Sequence, residues 1–181
     1  MTKISHEQKK KLLFKHSKPL VRPFTDADLW VFWAAYKEGS FDGVPTDIDK
    51  ETFYANTLES MKNYASILVI EDNNKRFKNG RGVVCFVTIK QEGCRIEPHV
   101  EFFKWATTKN ILRSTVRFFN WIRYNRQIGA CVVRCLSDTV NLFHRAKYYG
   151  VLFYVGKIVG GSPSGDGDEY IFSTKGKFVK E

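Results

Sequence analysis

The chain has 181 residues, 43% of them hydrophobic and 15% aromatic, which suffices for one domain with a real core, is too little for two, and excludes a disordered binder. Its formal charge of +10 implies attraction to polyanions and carries no information about fold. No apolar run reaches the roughly 18 residues a membrane helix needs, and no apolar leader segment follows the N-terminal lysines, so a soluble cytoplasmic protein without membrane contact is expected.

The first stretch, MTKISHEQKKKLLFKHSKPL, sets Lys3, Lys9, Lys10, Lys11, Lys15 and Lys18 against one acid, Glu7. Residues 1–20 therefore read as a basic, solvated and partly helical tail ahead of a domain over 21–181, with residues 1–18 offering non-specific contact to nucleic acid. VRPFTDADLWVFWAAYKEGSF reads as a short strand and a helix capped by Thr25 or Asp26, with Leu29, Phe32, Trp33 and Tyr36 as its apolar stripe and Gly39 at its end. DKETFYANTLESMKNY gives a second helix with Phe53, Leu58 and Met61 inward.

The period then changes. ASILVIED and RGVVCFVTIKQEG are strands of a hairpin around NNKRFKNG, and CRIEPHVEFFKWA is a third strand, in which Gly93 and Pro98 mark a strand start or a sheet edge. RSTVRFFNWIRYNRQIG is a helix with Val116, Phe119 and Trp121 or Ile122 inward and Gly129 as its stop. ACVVRCL is a strand, and DTVNLFHRAKYYG a helix capped by Asp138 and ended by Gly150. VLFYVGKIVGG and DEYIFSTKG close the chain as strands around a GGSPSGDGD loop. The order β-α-α-β-β-β-α-β-α-β-β is a mixed α/β arrangement: an antiparallel meander, then a β-α-β crossover through residues 106–130.

The four cysteines, at 85, 94, 131 and 135, lack the density of a disulfide scaffold and the spacing of a zinc site; 131, 133 and 135 share a strand face as small buried groups. No metal is expected. Nor is there a helix-turn-helix or zinc finger to read DNA.

FFKWATTKNILRST, residues 102–115, is the informative stretch. If the strand ends at Ala106 and the helix starts at Ser114, Thr107 to Arg113 form a polar, basic turn at a helix N-terminus, where unpaired N–H groups and the helix dipole favour an anion such as phosphate; an ordinary exposed turn is the alternative. Glu97, His99 and Glu101 alternate along the preceding strand and share a face, so a carboxylate and an imidazole can point together into a cleft or, alternatively, into solvent with Val100 and Phe102 inward. His144 reads as a surface histidine.

The element order, with PHVEFFKWATTKNILRSTVRFF and NLFHRAKYYG, resembles the GNAT acyltransferase superfamily, and within it the GNAT-like proteins encoded by tailed bacteriophages. The resemblance implies a GNAT-like mixed central sheet with helices on both faces. It also implies acetyl-CoA as cofactor, without metal, and transfer of acetyl to an amine-bearing small molecule or protein. The pyrophosphate would lie on Thr107, Thr108, Lys109, Asn110, Ile111, Arg113 and Ser114. Glu101 or His99 is the candidate base, since an ammonium acceptor must lose a proton before attack. The sequence departs from the family where its coenzyme loop carries glycines, since TTKNILRST has none, and where its general-acid tyrosine stands, since that position is Ala146; Tyr148 is the nearby candidate, with packing as its other reading. The alternative function is a non-catalytic protein of this fold, a packaged virion component or one that binds a host protein or DNA.

Overall fold

The computed structural model describes residues 4–15, 18–41, 44, 45, 47–72, 82–136, 139–161 and 167–175. In chain order they form α1 (His6–Leu13), β1 (Leu20–Pro23), a 3-10 turn (Asp26–Asp28), α2 (Leu29–Lys37), α3 (Lys50–Met61), β2 (Ser66–Glu71), β3 (Val83–Glu92), β4 (Arg95–Phe102), α4 (Thr108–Tyr124), β5 (Ala130–Leu136), α5 (Val140–Tyr148), β6 (Phe153–Ile158) and β7 (Glu169–Lys175). The strands make one sheet in the order β1-β2-β3-β4-β5-β7-β6. Among the described residues only β4 and β5 pair in parallel. The meander, the crossover and the mixed sheet are as expected. The last strand, β7, lies inside β6 rather than beyond it.

Alternation along the strands assigns the two faces. Leu68 and Ile70 of β2, Cys85, Val87 and Ile89 of β3, Ile96 of β4 and Cys131, Val133 and Cys135 of β5 face one way, into a cluster with Val116, Phe118, Phe119 and Ile122 of α4 and Phe143 of α5. Burial pushes the Cys131 thiol up to about 12, helped by Glu97, in keeping with its reading as a small hydrophobe. Val69, Val83 and Phe86 face the other way, against Val31, Phe32, Ala35 and Tyr36 of α2 and Phe53 of α3. Helices thus cover both faces. In α3 the expectation for Leu58 is corrected: it is exposed, and Phe53 with Met61 makes the contact. In α4 the inward residue is Ile122, with Trp121 packed at the margin.

Polar anchors hold the margins. Arg22 of β1 bonds Asp28 through both terminal nitrogens, at 2.8 and 2.7 Å, and reaches Glu71 of β2. Burial opposes ionisation of Asp28, but the bonds from Arg22 and Thr25 outweigh it and hold that carboxyl below its ordinary value. Of the two expected caps, Thr25 or Asp26, Thr25 precedes the 3-10 turn that leads into α2, with its N–H and hydroxyl donating to Asp28 Oδ2, and Gly39, at φ 69°, follows the end of α2.

The basic tail is corrected in part. Residues 6–13 are a helix started by a Ser5–Gln8 capping box, and it is docked: Leu13 and Phe14 pack on the α4 cluster, and Lys10 Nζ donates to Asn120 Oδ1 at 3.2 Å. Asp138 and residues 73–80 and 162–166, expected as a cap and as loops, lie outside the described residues.

Phe119 is fully buried at the centre of the larger cluster. Phe119→Ala is expected to cost about 3–5 kcal/mol in urea denaturation, whereas Leu58→Ala should stay within about 0.5 kcal/mol of the parent.

Candidate active site

β4 and β5 are partners only at Arg95–Ala130 and Ile96–Cys131; beyond these pairs they part. The cause is legible in the backbone. Ala65 N donates to Ile89 O at 2.9 Å, so the polar groups of Ile89 face β2, and those of its cross-strand partner Pro98 face away, toward β5. Pro98 has no N–H to give. The ladder stops where the next donor would be, and Pro98, expected at a strand start or a sheet edge, instead sits within β4 in mid-sheet and opens it.

The opening is lined on one face by Glu97, His99, Arg134, Leu136 and Glu169, in a cavity of about 420 Å³, and through the other by Val100, Phe102, Val133, Cys135 and Phe143, in one of about 340 Å³. Val100 and Phe102 pack toward the core, and the acidic residues of β4 point the opposite way. The two candidate bases come together: His99 Nε2 lies 2.8 Å from Glu101 Oε1. Both are solvent-accessible, at 72% and 42% of their side chains. A carboxylate can only accept, so Nε2 carries the hydrogen and, in the neutral ring, Nδ1 holds the lone pair. The bond from Glu101 raises the His99 pKa above its ordinary 6.5, against partial burial and nearby Lys90. Arg134 spans Glu97 at 3.5 Å and Glu169 at 3.2 Å, a ladder the sequence reading missed.

The turn after β4 is shorter than expected. α4 begins at Thr108, not Ser114, because Thr107 and Asn110 form a capping box: Asn110 N donates to Thr107 Oγ1 at 3.3 Å, Thr107 N donates to Asn110 Oδ1 at 3.3 Å, and the Thr107 hydroxyl bonds the same oxygen. The helix residues then sort by direction. Thr107, Thr108 and Lys109 are exposed and Ile111 half-buried. Asn110 and Arg113 are turned inward and corrected as phosphate-binding side chains: Asn110 Nδ2 donates to Asp72 Oδ2 at 2.9 Å and Arg113 Nη2 lies 3.4 Å from Asp72 Oδ1. Asp72 is itself fully buried. Ser114 is fully buried too, its hydroxyl without a partner among the described residues. No signal within residues 98–115 names Asp72, which reaches them from the end of β2.

Tyr148 is not brought to the cleft. It lines neither cavity, and Lys9 Nζ sits 3.4 Å from the centre of its ring. Tyr149 packs on the core, and His144 is exposed beside Tyr154 and Phe172. Among the described residues no group of three His, Cys, Asp or Glu could hold a metal, and no helix is long and apolar enough to cross a membrane.

No family model and no curated protein matches the sequence. Solved structures do match the fold. A chimera of the Vibrio cholerae spermidine N-acetyltransferase SpeG with hSSAT superposes with a TM-score of 0.62 at 11% identity, over 88% of this chain and 96% of the other. A GNAT-family acetyltransferase from Bacillus anthracis gives 0.61 at 12%, over 87% and 94%. RimL, a ribosomal α-N-protein acetyltransferase in complex with coenzyme A disulfide-linked to a cysteine, gives 0.61 at 12%, over 86% and 93%. The chain has the GNAT α/β fold.

The inward cluster yields a measurable expectation. Asp72→Ala removes a buried carboxylate from the Arg113 guanidinium and the Asn110 amide and should lower unfolding free energy by about 3–5 kcal/mol. Lys109→Ala, at an exposed position, should change it by less than about 0.5 kcal/mol in the same denaturant titration.

Proposed function

We propose that the chain is an N-acetyltransferase that moves an acetyl group from acetyl-CoA to an amine-bearing small molecule or protein. The observation that carries this reading is the parting of β4 and β5 beside His99 and Glu101, at the carboxyl end of a parallel strand pair, where ligands of open α/β sheets bind. The GNAT fold supports it.

The residues present fit the coenzyme. The N–H and C=O groups of Val100 and Phe102 face the gap left by β5, so an extended amide-bearing arm can pair with β4 as a strand would. At the mouth, the first-turn amides of Thr108 and Lys109 and the Lys109 ammonium suit a pyrophosphate; Asn110, Arg113 and Ser114 stay inside as its support. When bound, acetyl-CoA supplies the acetyl thioester. His99 Nδ1 takes one proton of the acceptor ammonium, and Glu101 keeps the ring in that tautomer; as the freed amine bonds the acetyl carbon and the carbon–sulfur bond breaks, the second proton of the nitrogen would pass to the departing thiolate, which leaves as the thiol.

A second reading, a non-catalytic protein of this fold in a virion or bound to a host partner, is favoured by one observation: the Asp72 carboxylate lies behind a helix N-terminus whose loop, residues 103–107, has no glycine through which backbone could close on phosphates.

Calorimetric titration decides between them. Acetyl-CoA should bind with submillimolar affinity, weakened roughly threefold to tenfold by Lys109→Ala and less at high salt; absence of binding at millimolar coenzyme selects the second reading. The pH profile checks the base. Because the acceptor proton must go to neutral His99, kcat/KM should rise as pH climbs through a pKa above 6.5, and Glu101→Gln should move that limb down toward 6.5. His99→Ala should cost about 100-fold or more in kcat.

A further inference from the structure

Beneath α2 and α3, on the sheet face that carries His99 and Glu101, lies another cavity, of about 280 Å³. Its walls are Phe32, Phe41, Phe53, Phe86 and Met61, and no charged side chain lines it among the described residues. Asn56, Thr57, Ser60 and Tyr64 add uncharged polar groups to the lining, and one further polar group, on the sheet, is buried. Thr88 is 6% exposed, and its Oγ1 has no hydrogen-bond partner among the described residues. A buried hydroxyl left without a partner is a standing cost in a native fold and calls for an explanation.

Position relates this cavity to the cleft. Thr88 is the cross-strand partner of His99, and Tyr64 lines both this cavity and the one that holds His99 and Glu97. The volume is at the small end for a ligand site, too small for a folded or peptide partner and suited to one ring. Its uncharged aromatic walls disfavour an extended polycation, whose charges would be desolvated there.

We propose that this cavity holds the body of the acceptor, and that the acceptor is a primary amine on a compact aromatic frame bearing one hydrogen-bonding group. The ring lies among Phe32, Phe53 and Phe86, its polar substituent bonds Thr88 Oγ1, and the amine leads out past Tyr64 toward His99. The assignment of the amine end rests on the acetyltransferase reading; the ring site does not.

Binding of tyramine and of 2-phenylethylamine, which lacks the ring hydroxyl, is to be measured by calorimetry with and without coenzyme A, on the full chain and on two variants. Ser60, exposed on α3 at the cavity rim, becomes Trp to fill the mouth; Thr88 becomes Val, which keeps shape and removes the hydroxyl. Both amines should bind the parent, and Ser60→Trp should weaken both by about tenfold or more. Thr88→Val should weaken tyramine by about fivefold and leave 2-phenylethylamine within twofold. The proposal is overturned if neither amine binds the parent, if Ser60→Trp leaves both affinities unchanged, or if Thr88→Val treats the two alike. Ring binding together with failure of the coenzyme titration would keep the site and remove acyl transfer, whereas coenzyme binding without ring binding would remove the site alone.

Discussion

A missing hydrogen organises this molecule. In a seven-stranded sheet every interior strand is expected to bond on both sides, and β4 does so only as far as Ile96. Pro98 keeps its partner Ile89 on the β3 side, where neither residue needs a bond, and withholds the donor that β5 would require. The strand stays in the sheet while its neighbour departs. Because side chains alternate along β4, the gap brings an apolar flank of Val100 and Phe102 to one face and Glu97, His99 and Glu101 to the other. A sheet that would otherwise be a closed wall becomes one that can admit an extended guest.

The helix that follows is fixed independently of that guest. The start of α4 is tied to the end of β2 by Asp72, whose two oxygens meet Asn110 and Arg113. Buried charges of this kind are costly to desolvate and contribute position more than free energy. They set the first turn of α4 while Thr108 and Lys109 remain in water. Rigidity on the inner side and accessibility on the outer side of a single helical turn are what a binding mouth needs.

Much of this architecture could be read from the residues. The stripe of Val116, Phe119 and Ile122 announced α4, and the alternation at Cys131, Val133 and Cys135 announced the buried face of β5, because helical and strand periods survive in local order. The start of α4 was misread since Thr107 and Asn110 look like loop polarity until their side chains are seen closing on one another. Pro98 invited assignment to a strand start or an edge, as proline in a strand usually does; only the register with β3 tells which side its nitrogen faces. Long-range partners had no local signal. Asp72 reaches Asn110 from a different strand, Lys9 takes Tyr148 from a helix at the far end of the chain, and Thr88 sits in a β-branched run where an unbonded hydroxyl looks like any other.

The docking of α1 also decides what the surplus of lysines can do. It grips α4 at Asn120, twelve positions beyond the first residue of that helix, Thr108, which at 1.5 Å per residue is about 18 Å of rise. Counter-ions at physiological strength damp a field over about 8 Å. Lys10 is thus electrostatically remote from the first turn of α4. The formal total of +10 is therefore not felt as one field at that turn.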